Sequence, residues 1–141
     1  MSHGLDSGMW KFVIAWTIAA FGGMLVVIIA LKGSAGGPCR NLGADEARRY
    51  IEEKRPFILD VRSAAEQSRG VIRGAVCLPL NQLGGRLSEV PQDRPVLVYC
   101  ASGMRSRRAA SLLSRQGGQE VVNLQGGLAA WVGANLPISK G

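Results

Sequence analysis

The residues best equipped for chemistry lie in YCASGMRSRRAASLL, residues 99–113. Cys100 closes an apolar run, Gly103 follows three residues later, and Arg105 stands five residues after the cysteine. The reactive form of cysteine is the thiolate, and a free thiol ionises only near pH ~8.5. This stretch has the means to lower that value. Ser102 and Gly103 can turn tightly enough to aim several backbone N–H groups at one point, and glycine accepts backbone angles that other residues resist. The free N–H groups of a following helix and its dipole act in the same direction, as does the charge of Arg105. Cys100 is therefore a candidate nucleophile. The backbone of Ala101, Ser102, Gly103, Met104 and Arg105 is a candidate cradle for a thiolate or a bound anion. The plain alternative is a buried structural cysteine, but a core cysteine needs neither the glycine nor the basic side chains behind it.

Such a thiol must be held by a strand and a helix. VLVYC, residues 96–100, is almost continuously apolar, as expected of a parallel strand covered on both faces. The next run predicts a helix from about Met104 to Arg115, with Ala109, Leu112 and Leu113 as its apolar face and Gly117-Gly118 at its end. Upstream, residues 44–54 place Ala47, Tyr50 and Ile51 at helical spacing before Pro56. FILDV (57–61) reads as a buried strand, 63–68 as a helical turn, AVCL (75–78) as a short strand, and 79–90 as a weak helix interrupted by Gly84-Gly85. EVVNL (120–124) is a further strand, and Gly126-Gly127 turns it into a last helix around Trp131. Strands alternate with helices, so the expected fold class is α/β, a small domain with a mostly parallel central sheet and flanking helices. In such folds ligands bind beyond the carboxyl ends of the strands, where Cys100 stands.

The sequence before this domain has another character. FVIAWTIAAFGGMLVVIIAL, residues 12–31, is twenty residues without a charge. As a helix it would span ~30 Å, the thickness of a bilayer core. The expectation is one transmembrane helix at 12–31, an N-terminal flank at 1–11, a flexible spacer at 32–40 and a folded domain at 41–141. A cleaved signal peptide is the competing reading, although its apolar core is normally shorter. Lys32, Arg40, Arg48 and Arg49 follow the span and only Lys11 precedes it. That bias places the domain on the cytoplasmic side of an inner or plasma membrane, with the periplasmic side as the alternative. Lipid bilayer, and through it a membrane protein, become expected partners. From Arg40 onward 15 Lys and Arg face nine Asp and Glu. This positive balance favours small anions over nucleic acid, because no zinc-finger spacing and too few aromatic residues accompany it. Three cysteines, Cys39, Cys77 and Cys100, are too few and too unpaired for a disulfide scaffold.

Four segments, taken in order, resemble the single-domain rhodanese-like sulfurtransferases. They are LDVRSAAE (59–66), GVIRGAVCLPL (70–80), YCASGMRS (99–106) and VVNLQGGLAAW (121–131). The likeness covers nearly all of residues 44–137, and with the apolar span it is similar to a membrane-anchored bacterial type. One departure is visible: many members have histidine after the glycine where this chain has Gly70-Val71. The resemblance implies sulfur transfer from thiosulfate or a related anionic donor to a thiophilic acceptor, a thiol or, in assay, cyanide. The intermediate it implies is a persulfide on Cys100, with no other cofactor and no metal. Loop length agrees: four residues separate Cys100 from Arg105, whereas cysteine phosphatases of related fold use five, and neither Arg105 nor Arg107 meets that spacing.

In the resembled family the positions of Asp60 and Arg62 lie near the active loop and help order it, and Arg62 is a candidate anion contact. Asp at a strand end is also a common turn former. Ser106 is expected to support the loop or the helix start, and Arg105 to hold the donor. The only histidine, His3, lies before the apolar span, so a Cys–His pair in the domain is ruled out. Cys77, in a strand, is expected to pack, and Cys39, in the spacer, to be exposed. The opposing function is a membrane-tethered binding or regulatory module that keeps the fold without significant turnover.

Overall fold

A computed structural model describes residues 39–141. Five strands alternate with helices: β1 (Arg40–Leu42), α1 (Ala44–Lys54), β2 (Phe57–Asp60), α2 (Ala64–Gln67), β3 (Val76–Cys77), α3 (Leu80–Leu83), a 3-10 turn (Leu87–Glu89), β4 (Val96–Tyr99), α4 (Met104–Gln116), β5 (Val121–Leu124) and α5 (Gly127–Gly133). They form one sheet in the order β1-β5-β4-β2-β3, and every strand pairing is parallel. A single antiparallel bridge, Val71 to Ser139, ties the C-terminal segment to the loop after α2. The small α/β domain with a parallel central sheet and flanking helices is thus the observed architecture.

Alternation along β4 explains both its apolar composition and the aim of the cysteine. Successive strand residues point to opposite faces. Val96, Val98 and Cys100 enter the cluster that contains Leu83, Ala109 and Leu113, while Leu97 and Tyr99 enter the cluster that contains Ala47, Tyr50 and Trp131. Both faces are covered, and each fully buried Leu or Val contributes roughly 1.5–3 kcal/mol. Cys100 consequently points toward α4, the helix whose N-terminus follows it.

Two expectations are corrected. Among the described residues no helix is long and apolar enough to cross a membrane. Helix α4, with 13 residues, spans only ~20 Å and carries Arg105, Arg107, Arg108 and Arg115. The apolar segment 12–31, with its flank and most of the spacer, lies outside the described residues. The membrane-anchored type, the preceding transmembrane helix, the bilayer and membrane-protein partners and the membrane location with its cytoplasmic orientation are therefore withdrawn in favour of the α/β domain itself. Second, Arg40, assigned to the spacer, begins β1, which lies on the sheet edge against β5. Asn123 Nδ2 donates to Asn41 Oδ1 at 2.8 Å across that pair. Three residues with one buried side chain carry too little periodicity to announce a strand; the pairing with β5 creates it.

Candidate active site

The chain leaves β4 at Tyr99 and enters α4 at Met104, so residues 100–103 form the turn between them. Gly103 caps the helix with φ of 96°, a left-handed conformation open to glycine. Its N–H donates to Cys100 Sγ at 3.0 Å, and Ser106 Oγ donates to the same sulfur at 3.4 Å. Cys100 and Ser106 have no exposed surface. Burial by itself pushes the Cys100 thiol up. The hydrogen bonds from the Ser106 side chain and from the backbone N–H groups of Ser106, Gly103 and Ser102 outweigh it, and the thiol is held below its ordinary value. The thiolate is thus favoured by donors from the strand-to-helix turn, without a histidine base. Met104 is 73 % exposed and turns its side chain to solvent.

The turn is braced from behind by the start of α5. Leu128 N–H donates to the Cys100 carbonyl at 2.8 Å and Ala129 N–H to the Ala101 carbonyl at 3.1 Å. These bonds hold the carbonyls of the turn away from the sulfur and leave its N–H groups facing it. The approach is close enough to require glycine: a Cβ on Gly127 would meet Cys100 O at 2.5 Å and Ala101 C at 2.6 Å. The sequence showed Gly126-Gly127 as a turn; that it doubles as the back wall of the cysteine loop is a tertiary contact.

Arg105 is already engaged. Its Nη1 and Nη2 donate to Glu66 Oε2 and Oε1 at 2.8 and 2.7 Å. Such a bidentate pair is the favoured guanidinium–carboxylate geometry. Glu66 is fixed in turn by the capping box of α2, accepting from the N–H and hydroxyl of Ser63 at 3.0 and 2.8 Å. The Arg105 guanidinium, followed by the Ser63 bonds, holds the Glu66 carboxyl well below the usual carboxylate range. Glu66 was not among the expected site residues, yet the Ser63-x-x-Glu66 spacing is a readable helix-start signal.

Asp60 and Arg62 form a buried pair. Arg62 Nη2 donates to Asp60 Oδ2 at 2.6 Å, and Nε donates to both carboxylate oxygens at 3.0 and 3.1 Å. Nη2 also donates to the Gly70 carbonyl at 2.6 Å, and Nη1 donates to the Glu66 carbonyl at 3.2 Å. Arg62 is 4 % exposed and has no face left for a substrate anion. What it holds is the backbone of Glu66, and so the partner of Arg105. The structure therefore gathers Cys100, its loop and Ser106 at one point, sets Arg105 beside them on Glu66, and places Asp60 and Arg62 one layer further out.

Cys77 and Cys39 depart from expectation. Cys77 is exposed on edge strand β3. It lies in register with Asp60, which lies in register with Tyr99, so it shares the row of Tyr99 and not the face into which Cys100 points. Burial first, and then the Asp60 charge, push its thiol up. Cys39 is partly buried against the Cys100-side core, and burial raises its thiol too. Among the described residues no group of three or more His, Cys, Asp or Glu is placed to hold a metal ion.

The pattern of the rhodanese-like domain matches residues 43–134, which include every element of this site. The chain belongs to the rhodanese-like family. A sulfurtransferase from Allochromatium vinosum is 40 % identical over 92 residues, covering 65 % of this chain and 86 % of that protein. Thiosulfate sulfurtransferase GlpE of Shewanella oneidensis is 33 % identical over 96 residues, 68 % of this chain and 95 % of GlpE. Among solved structures, a rhodanese-related protein from Thermoplasma volcanium superposes with a TM-score of 0.67 at 27 % identity, over 72 % of this chain and 99 % of that one. A rhodanese-type sulfurtransferase function follows for this domain in general terms. The burial and hydrogen bonding of Cys100 suit a rhodanese persulfide-forming cysteine, whose chemistry calls for no cofactor.

Proposed function

We infer that this rhodanese-like domain moves sulfane sulfur from thiosulfate or a related donor to a thiophilic acceptor through a persulfide on Cys100. The observation that carries the reading is the sulfur-centred cradle: Gly103 N–H at 3.0 Å and Ser106 Oγ at 3.4 Å both address Sγ. In the first half-reaction the Cys100 thiolate attacks the outer sulfur of thiosulfate. A new S–S bond forms on Cys100, the S–S bond of the donor breaks, and sulfite leaves with its electron pair. In the second, cyanide or a thiolate attacks the outer sulfur of the persulfide. Thiocyanate or a new persulfide departs, and the Cys100 thiolate returns. No net oxidant or reductant is consumed. The backbone N–H groups stabilise negative charge on sulfur at both stages without reorganising. Cys100 has no exposed surface, and the exposed Ser102 and Met104 form the outer wall of its turn.

The test is direct. Incubation with thiosulfate should add one sulfur to the mass of the protein, and Cys100→Ser should abolish the addition. Thiosulfate and cyanide together should yield sulfite and thiocyanate. A folded protein that neither gains sulfur nor turns over would refute the reading and leave a binding module.

A further inference from the structure

Arg105 faces two ways. It lines the open cavity of ≈ 1030 Å³ beside the cysteine loop, together with Val61, Ser63 and Ala64, whereas Glu66 is not part of that lining. An anion entering this cavity meets the guanidinium before the carboxylate. The ion pair leaves the guanidinium room for such a visitor. Nη1 and Nη2 each give one N–H to a different Glu66 oxygen, and a guanidinium carries five N–H donors. Among the described residues Nε donates to none. The Arg105 and Glu66 side chains keep 40 % and 32 % of their surface exposed, so the unused edge is open to a solute. A planar, permanently charged edge of this kind suits oxyanions.

Glu66 does not depend on Arg105 for its place. Its Oε2 also accepts from the N–H and hydroxyl of Ser63 at 3.0 and 2.8 Å, and its carbonyl accepts from Arg62 Nη1 at 3.2 Å. The carboxylate is therefore a fixed negative charge beside a more mobile positive one. The helix start alone does not call for that charge, because glutamine closes a capping box as well as glutamate. Nor does stability, since a partly exposed ion pair adds little. What the charge does reach is the guanidinium: the hydrogen bonds from Glu66 are the largest influence on Arg105, and the Cys100 sulfur is close enough to act on it too.

We propose that Glu66 sets the affinity of the donor site as a built-in counter-anion, competing with the donor for the charge of Arg105. It is a positioning residue that acts through the guanidinium and touches no reacting atom. The proposal rests on the sulfur-transfer reading for the identity of the donor, though not for the binding. Thiosulfate and the sulfite it releases are both oxyanions, so a guanidinium without a counter-ion would hold product as well as donor. With Glu66 in place both are held weakly, and sulfite gives up the site after the transfer. Ser63 serves this arrangement by keeping the carboxylate where it is while Arg105 turns toward an incoming anion.

Thiosulfate binding is measured by calorimetry at low ionic strength on the full chain carrying Cys100→Ser, which cannot take up sulfur. Adding Glu66→Gln should tighten binding by about threefold or more, and Glu66→Ala should shift it in the same direction. In an Arg105→Gln background Glu66→Gln should give no gain, because the carboxylate acts through the guanidinium. In the chain with Cys100 intact, Glu66→Gln should lower the thiosulfate KM and the sulfite concentration that half-inhibits turnover by similar factors, without raising kcat. Damage to the fold weakens binding and cannot imitate a gain. Unchanged or weaker thiosulfate binding in Glu66→Gln would overturn the proposal, the weaker case making Glu66 a brace for Arg105. An equal gain with and without Arg105 would overturn it as well, as a general field effect. If no persulfide forms on the intact chain, the sulfur-transfer reading fails, and the calorimetric arm still decides whether Glu66 competes with an oxyanion.

Discussion

Removal of the Ser106 hydroxyl isolates one donor of the cysteine cradle. Ser106 Oγ lies 3.4 Å from Cys100 Sγ and 3.2 Å from the Gly103 carbonyl, and its single proton is shared between the two. A hydrogen bond to a charged group contributes about 1.5–3 kcal/mol; sharing, and the softness of sulfur as an acceptor, put this one near the lower bound. At 1.36 kcal/mol per unit, Ser106→Ala should raise the Cys100 pKa by about one unit. Below both pKa values the thiolate fraction then falls about tenfold. Each thiolate becomes more nucleophilic as its basicity rises, with a Brønsted slope of about 0.4–0.5, which returns roughly a factor of three. The net expectation is a reaction about threefold slower at low pH and about threefold faster well above both pKa values, so the two pH profiles must cross. The assay is the rate of iodoacetamide alkylation against pH, in a background with Cys39→Ser and Cys77→Ser so that one thiol reports. Unchanged near-ultraviolet circular dichroism guards against a general loosening of the fold. Superposable profiles, or a variant slower at every pH by one factor, would show that Ser106 supports the loop without stabilising the thiolate.

Three further outcomes follow from the same geometry. Gly127→Ala, whose Cβ would meet Cys100 O at 2.5 Å, should displace the turn, lower stability by about 2–3 kcal/mol in urea denaturation and slow persulfide formation. Arg62→Met should destabilise by about 3–5 kcal/mol, because it leaves the Asp60 carboxylate buried without its partner; a folded variant altered only in its thiosulfate KM would instead make Arg62 a donor contact. Glu66→Gln should cost about 0.2–1 kcal/mol at pH 7, since the Arg105 pair is partly exposed. The Glu66 pKa is depressed in the folded state, so its contribution is complete above the unfolded carboxyl value of ~4.3 and is lost as pH falls below it. The difference in urea midpoint between parent and Glu66→Gln should therefore narrow from pH 6 to pH 3, and a constant difference would deny the carboxylate that role.

The legible parts of this fold are those that local chemistry dictates. VLVYC is apolar because both faces of β4 are covered, and Gly117-Gly118 ends α4 because nothing else turns so cheaply; both could be read without a structure. Cys100 was legible for a related reason: a thiol, a glycine and a helix start within four residues have few other uses. What stayed hidden is contact between segments distant in sequence. β1 exists through its pairing with β5, and Arg105 meets Glu66 across 39 residues. Arg62 was expected near an anion because of its charge and neighbourhood, but its donors are spent on Asp60, Gly70 and Glu66. Charge in a sequence announces that a partner exists without saying whether the partner is substrate or protein.

That distinction divides the site into two layers with different tolerance for change. The thiolate is stabilised by the Ser106 hydroxyl and by the backbone N–H groups of Ser106, Gly103 and Ser102, and the turn that carries these donors is set by glycines at 103 and 127 and by the α5 backbone bonds to Cys100 and Ala101. Side-chain identity at Ala101, Ser102 and Met104 enters little into that geometry. The arginines do not build the cradle: Arg105 is held by Glu66, and Arg108 and Arg115 are exposed and are not among the donors to Cys100. Substitution of these arginines should therefore leave the Cys100 cradle in place, whereas a side chain added at 103 or 127 should displace it.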